Sequence, residues 1–201
     1  MTAVTRGCHD GGMTVVLLHS MYGLRAAVLD AAARIRATTG HEVVVPDLYD
    51  GRTADDAETG LKIRDEIGPE ELARRAAAAA APYAGESTVY AGLSLGASLA
   101  QRLALGGGAR GLLLMHGTAE VPEGTAVPGL PVQLHVADPD EWEPADWLGE
   151  WQEGMRRAGA RAELFRYPGA GHLFTDPDLA DHDEPSARKA WERALAFLQG
   201  L

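Results

Sequence analysis

The segment Thr88-Val89-Tyr90-Ala91-Gly92-Leu93-Ser94-Leu95-Gly96-Ala97-Ser98 runs from an apolar strand pattern through Gly-x-Ser-x-Gly straight into a helix pattern. A serine at so tight a strand-to-helix turn is held in a strained backbone conformation that pushes its hydroxyl out of the fold. Glycines at the flanking positions remove the Cβ atoms that would otherwise clash. The new helix starts at the serine, so its free N–H groups and the positive end of its dipole face the hydroxyl. The short motif alone recurs by chance. Its position between a strand and a helix is what singles out Ser94 as a nucleophile.

On either side of this turn, short apolar runs alternate with longer helical patterns. Strands are expected at 13–18, 42–46, 87–91, 111–116, 132–136 and 161–167, and helices at 24–39, 69–83, 95–105, 145–158 and 185–199. Several of the strand runs are continuous in Val, Leu and Ile, which suits strands covered on both faces. Such alternation with short connections implies an α/β fold, a mainly parallel sheet of about six or seven strands with helices on both faces. Gly40 and Gly159 close the first and fourth helices, and Pro69 opens the second with Glu70 and Glu71 in its first turn. Asp146 is expected to cap the fourth helix. The alanine run 76–81 reads as helix interior, and the acidic stretch 50–58 as a loop with a ragged turn.

The chain of 201 residues carries a net charge of −11, which argues against a nucleic-acid partner, since a phosphate-binding surface needs a clustered positive field. No apolar run approaches the roughly 20 residues needed to span a bilayer, so no membrane partner is expected. Residues 1–12 read as a polar leader without the apolar core of a signal peptide, which points to a cytoplasmic protein. Residues 13–201 then form a single domain. Cys8 is the only cysteine, so no intrachain disulfide is possible. CxxC, HExxH and phosphate-cradling glycine loops are absent, and no metal or cofactor is expected.

In open parallel sheets, ligands bind beyond the carboxyl ends of the strands. Three strands are followed there by residues that carry chemistry. Ser94 follows the third, Asp138-Pro139-Asp140 the fifth, and Gly169-Ala170-Gly171-His172 the last. The order Ser…Asp…His is that of the α/β-hydrolases. Serine needs a base to take its proton, and a histidine with an unperturbed pKa near neutrality can accept that proton and return it to a leaving group. An aspartate behind the ring fixes its tautomer. Either Asp138 or Asp140 could be that acid, and either could cap a turn around Pro139. His135 reads as a packing residue at a strand end, and His9, His41 and His182 as solvated surface groups. An oxyanion would need the Leu95 backbone N–H and a second amide from the loop His19-Ser20-Met21-Tyr22-Gly23, for which Met21 is favoured.

These residues resemble the dienelactone hydrolase family. The similarity lies in Leu17-Leu18-His19 with Tyr22-Gly23-Leu24, in Val45-Pro46-Asp47-Leu48-Tyr49, and in Gly92-Leu93-Ser94-Leu95-Gly96-Ala97. It continues in Gln133-Leu134-His135-Val136-Ala137-Asp138-Pro139-Asp140, in Tyr167-Pro168-Gly169-Ala170-Gly171-His172-Leu173-Phe174, and in the tail Ala187-Arg188-Lys189-Ala190-Trp191-Glu192-Arg193-Ala194. The resemblance implies a minimal α/β-hydrolase fold without a large cap domain. It sets the acid at the end of His-x-x-x-x-Asp, which is Asp140. Two departures stand out. The founding enzymes carry a cysteine and a controlling glutamate where this chain has Ser94 and Ser20. They also clamp a substrate carboxylate with arginines, one at the position held here by Asp176, so dienelactone itself is not the expected substrate.

The resulting expectation is a serine hydrolase that cleaves carboxylic esters or lactones of small molecules, with Ser94, His172 and Asp140 as its triad and no cofactor. Ser20, Tyr22, Tyr49, Leu93, Trp142 and Phe174 lie in or near strand-end loops and could line the pocket, or simply pack between loops and helices. Trp147 and Trp151, one helical turn apart, read as buried in a core or interface. Two other uses of the same residues stay open: a non-catalytic binding or interaction module on a hydrolase fold, and a thioesterase or acyltransferase. A deep, narrow acyl tunnel would favour the last. The sequence leaves the oligomeric state open.

Overall fold

A strand covered on both faces has no solvent side to alternate toward, and Thr14–Leu18 (β1) meets that description, with Val15, Val16, Leu17 and Leu18 all buried. The computed structural model describes residues 12–201. The expected leader, with Cys8 and His9, therefore lies outside the described residues but for Gly12. After β1 come Ala26–Thr39 (α1), Glu42–Val44 (β2), Ala57–Ile67 (α2), Pro69–Ala80 (α3), Thr88–Leu93 (β3) and Leu95–Leu105 (α4). Ala109–Met115 (β4), Pro131–Asp138 (β5), Ala145–Arg157 (α5), Arg161–Pro168 (β6) and Glu184–Gln199 (α6) complete the order.

The strands form one six-stranded sheet in the order β2-β1-β3-β4-β5-β6. Every pairing is parallel, with Leu18 opposite Gly92 and Asp138 opposite Pro168 at the carboxyl ends. Successive side chains of β1 point to opposite faces. Val15 and Leu17 join the layer built by Ile35 of α1 and Trp191 of α6, whereas Val16 and Leu18 join Leu72 of α3, Ala100 of α4 and Trp151 of α5. The sheet is thus sandwiched, and the loops that follow its strands meet at its carboxyl edge.

Local chemistry accounts for most element ends. Gly40 ends α1 in the left-handed region at φ 73°, with its N–H on the Arg36 carbonyl. Asp183 caps α6 by accepting from the Ser186 N–H. Three expectations need correcting. The stretch 50–58 is not loop throughout: Asp56 accepts from the Thr59 N–H at 2.8 Å and starts α2. Asp146 is not the cap of α5; Pro144 holds that position, and Asp146 sits in the first turn, where an acid favours the helix dipole. The fourth strand starts at Ala109 and ends before His116, which turns out of the sheet at φ 65°.

Candidate active site

Ser94 adopts φ 52° and ψ −110° between β3 and α4, a conformation that a non-glycine residue keeps only where its surroundings enforce it. They do so by close packing. A Cβ on Gly92 would lie 2.2 Å from the Gly96 carbonyl, and one on Gly96 would lie 2.2 Å from the Leu18 oxygen. The second contact ties the first turn of α4 to the end of β1. The Ser94 N–H extends the parallel ladder onto the Met115 carbonyl at 2.8 Å.

The Ser94 hydroxyl lies 2.8 Å from His172 Nε2, and the other ring nitrogen, Nδ1, lies 2.8 and 3.0 Å from the two oxygens of Asp140. A carboxylate only accepts, so Nδ1 carries the ring proton and donates it to Asp140. The Nε2 lone pair is left facing the serine hydroxyl. The Asp140 side chain is 0% exposed, and its Oδ1 also accepts from the Trp142 N–H at 2.9 Å. Asp138, the other candidate acid, is 44% exposed and meets Arg166 at 3.9 Å, away from the histidine. The sheet explains the difference. Asp138 is the last strand residue, whereas Asp140 lies in the loop that turns back over the edge.

Among the backbone amides in the loops at this edge that have no acceptor among the described residues, two bear on the site. One is that of Leu95, the first residue of α4, where helices leave N–H groups free. The other is that of Met21, whose neighbours are occupied: Tyr22 N–H donates to Ser20 Oγ and Gly23 N–H to the Ser20 carbonyl. Helix α2 supports this loop from behind, because Gly60 lies against the Met21 carbonyl so closely that a Cβ would sit 3.0 Å from it.

The expected lining residues fall into three groups. Trp142 is 48% exposed, with its ring 5.8 Å from the His172 ring, and forms an open lip. Ser20 and Leu93 line a cavity of about 120 Å³ under the loop after β6, shared with Val28, Leu173 and Trp191; Tyr22 is nearly buried, with Arg25 over its ring. Tyr49 and Phe174 do not line a cleft. Both are fully buried, Tyr49 edge-on to His19 and Phe174 between His116 and Tyr167. Burial pushes the Tyr49 phenol up to about 12. Asp176 pairs with Arg25 at 3.9 Å.

Several polar residues around the site carry no motif of their own. Buried Glu143 accepts from both the Thr118 N–H and the Thr118 hydroxyl, at 3.0 and 2.5 Å, and Trp147 Nε1 donates to the same hydroxyl at 2.7 Å. Desolvation raises the Glu143 pKa. Trp151 is buried and bonds Gln101, which in turn holds Ala119, whereas Trp147 is only half-buried. His116 is buried with its Nε2 on the Thr175 hydroxyl, and burial depresses its pKa well below the ordinary value. His135 lies within β5, not at its end, bonded to Tyr167 and Gln133. His41 and His182 are not free surface groups either, because each contacts a backbone carbonyl. No cluster of His, Cys, Asp or Glu suited to holding a metal occurs among the described residues, and no helix there is long and apolar enough to cross a membrane.

Residues 4–201 match the sequence model of the dienelactone hydrolase family. A curated Bradyrhizobium sp. protein, named "Probable 2-oxo-3-(5-oxofuran-2-ylidene)propanoate lactonase", is 32% identical over 69 residues, which is 34% of this chain and 28% of that protein's length. Among solved structures, the dienelactone hydrolase-like promiscuous phosphotriesterase P91 from metagenomic libraries superposes with a TM-score of 0.78 at 18% identity, covering 94% of this chain and 86% of its own. An esterase of the archaeon Pyrobaculum calidifontis superposes with a TM-score of 0.69 at 18% identity, covering 96% and 78%. At these identities the superpositions establish the fold, that of the α/β-hydrolases without a large cap.

Proposed function

The chain belongs to the dienelactone hydrolase family, and on that premise we propose that it hydrolyses carboxylic esters or lactones of small molecules through an acyl-enzyme on Ser94. The observation that carries the proposal is the unbroken hydrogen-bonded series from the Ser94 hydroxyl through both nitrogens of His172 to Asp140. Residues 13–201 would serve as one catalytic domain.

In this reading His172 Nε2 takes the Ser94 proton as Oγ attacks the substrate carbonyl carbon. The carbonyl oxygen becomes an oxyanion, received by the Met21 and Leu95 amides. Collapse breaks the carbon–oxygen bond to the alcohol, which leaves with the proton from Nε2. Water then enters, gives a proton to the same nitrogen and attacks the acyl carbon. Collapse of that second oxyanion frees the acid and returns the proton to Ser94. Asp140 stays ionised throughout and stabilises the imidazolium. The reaction consumes water and substrate alone.

The substrate is expected to be neutral near the reacting carbonyl. Arg25, the basic side chain that follows the loop after β1, faces Asp176 and Asp178 from Nη2 at 3.9 and 3.6 Å, and these two carboxylates offset its charge, while its buried Nη1 has no hydrogen-bond partner among the described residues. Exposed Trp142 offers an apolar face beside His172. Steady-state hydrolysis of paired neutral and carboxylate-bearing nitrophenyl esters and lactones tests both points. The parent should turn over the neutral member preferentially, and Ser94→Ala should lower kcat by about 10⁴-fold or more. Undiminished turnover by Ser94→Ala would contradict the mechanism, and preference for the anionic member would contradict the substrate class.

A further inference from the structure

His19 follows β1 immediately and is completely buried, yet both of its ring nitrogens are engaged. Nε2 lies 3.0 Å from the Leu48 amide nitrogen, and Nδ1 lies 2.7 Å from the Ser20 carbonyl oxygen. An amide N–H can only donate and a carbonyl can only accept. Nε2 is therefore the acceptor and Nδ1 the donor, which leaves one state of the ring: neutral, with its proton on Nδ1. Burial favours that uncharged state by lowering the ring pKa, against smaller opposing effects of the Ser20 bond and of Asp47, whose Oδ1 is 4.0 Å away.

The consequence lies one bond further along the chain. In a trans peptide the C=O and N–H point in opposite directions. The His19 ring, which holds the Ser20 carbonyl at 2.7 Å together with the Gly23 N–H at 3.1 Å, therefore also helps set the direction of the Met21 N–H, a loop amide with no acceptor among the described residues. The ring itself is fixed from outside the loop. Leu48 is gripped on its carbonyl by Arg75 of α3 at 2.8 Å, and Asp47 accepts from the Tyr49 N–H at 2.9 Å, which shapes the turn that presents the Leu48 amide. Tyr49 packs edge-on against the imidazole with ring centroids 4.9 Å apart. The other side of the loop is set by Gly96, whose close approach to the Leu18 and His19 carbonyls brings this strand end against the first turn of α4.

We propose that His19 is a positioning residue for the oxyanion site: it clamps the Ser20–Met21 peptide so that the Met21 N–H is presented to the carbonyl oxygen of the substrate. The inference rests on the serine-hydrolase reading and adds to it the group that orients its second oxyanion donor. His19 touches neither substrate nor Ser94 in this role. Its effect belongs to the transition state, because the oxyanion forms only there.

The test compares the parent with His19→Phe, which keeps a ring and loses both bonds, and with His19→Asn, whose side-chain amide can still donate to the Ser20 carbonyl. Each is assayed with nitrophenyl acetate and with a trifluoromethyl ketone, whose serine adduct bears an oxyanion. His19→Phe should lose about 10²-fold in kcat and a similar factor in ketone affinity, with KM little changed. His19→Asn should recover about tenfold of that loss at an unchanged melting temperature relative to His19→Phe. A His19→Phe protein that keeps the parental kcat and ketone affinity would overturn the proposal, as would a loss that appears in KM or follows the melting temperature without rescue by asparagine. A parent inert to both ester and ketone would remove the hydrolase reading itself, and this inference with it.

Discussion

Adding one methyl group at Gly96 should separate the two halves of the proposed oxyanion site. The Cβ of Gly96→Ala would sit 2.2 Å from the Leu18 oxygen and 2.5 Å from the His19 oxygen, both main-chain atoms at the end of β1. Neither can rotate away as a side chain would, so helix and strand must part by about 1 Å to restore ordinary contact. Leu95 and Ser94 ride on the helix side of that contact and Met21 on the strand side. A shift of about 1 Å between reacting groups costs on the order of 10²-fold in kcat. Overpacking costs about 1–3 kcal/mol of stability, or roughly 2–12 °C in melting temperature at this size. Gly149→Ala is the matched control, because Gly149 lies in α5 with nothing near its missing Cβ. It should leave kcat unchanged and stabilise the helix by up to about 1 kcal/mol. Nitrophenyl acetate kinetics and thermal melts of the two variants supply the comparison. Parental kcat and melting temperature in Gly96→Ala would refute the claim that this contact sets the site.

Two further outcomes follow from the geometry. Asp140→Asn should lower kcat by about 10⁴-fold, whereas Asp138→Asn should stay within a few-fold of the parent; equal losses would mean that the His172 contact does not decide the acid. Acid should destabilise the fold from an unusually high pH. His19, His116 and His135 are held neutral by burial, His135 down to about 3. Once unfolded they take up protons near pH 6.5, so stability is complete above that value and falls as the pH drops toward the folded pKa values. Each contributes up to about 1.4 kcal/mol per pH unit, about 4 together. Glu143, raised by burial, opposes this with a single group. Urea midpoints should be level above pH 7 and fall between pH 6 and 4, and a level profile down to pH 5 would contradict the assignment of neutral buried rings.

The layers of this fold were legible because fully buried strands leave continuous apolar runs such as Val15 to Leu18, and because caps such as Gly40 use unmistakable residues. The candidates Ser94 and His172 were legible through position, each lying just past a strand end, whereas position left Asp138 and Asp140 both open and the family resemblance pointed to Asp140. Helix α2 was not. Its Gly60 lowers helix propensity, and the reason for a glycine there is the passage of the Met21 carbonyl, a tertiary fact that local pattern does not encode. The cap Asp56 with Thr59 was the available signal. Tyr49 and Phe174 sit in strand-end loops, the usual place for pocket residues, but these loops fold inward over the sheet edge and bury them. Glu143 and His116 have no spacing signature at all, since their partners Thr118 and Thr175 reach them from other loops.

The central claim is that Ser94 is an activated nucleophile, and intact-mass analysis after exposure to a fluorophosphonate measures that property without knowledge of the substrate. The account predicts a single adduct on the parent, located by peptide mapping at Ser94, and none on Ser94→Ala or His172→Ala over the same period. A folded parent that takes up no adduct, or an adduct that persists in Ser94→Ala, would contradict it.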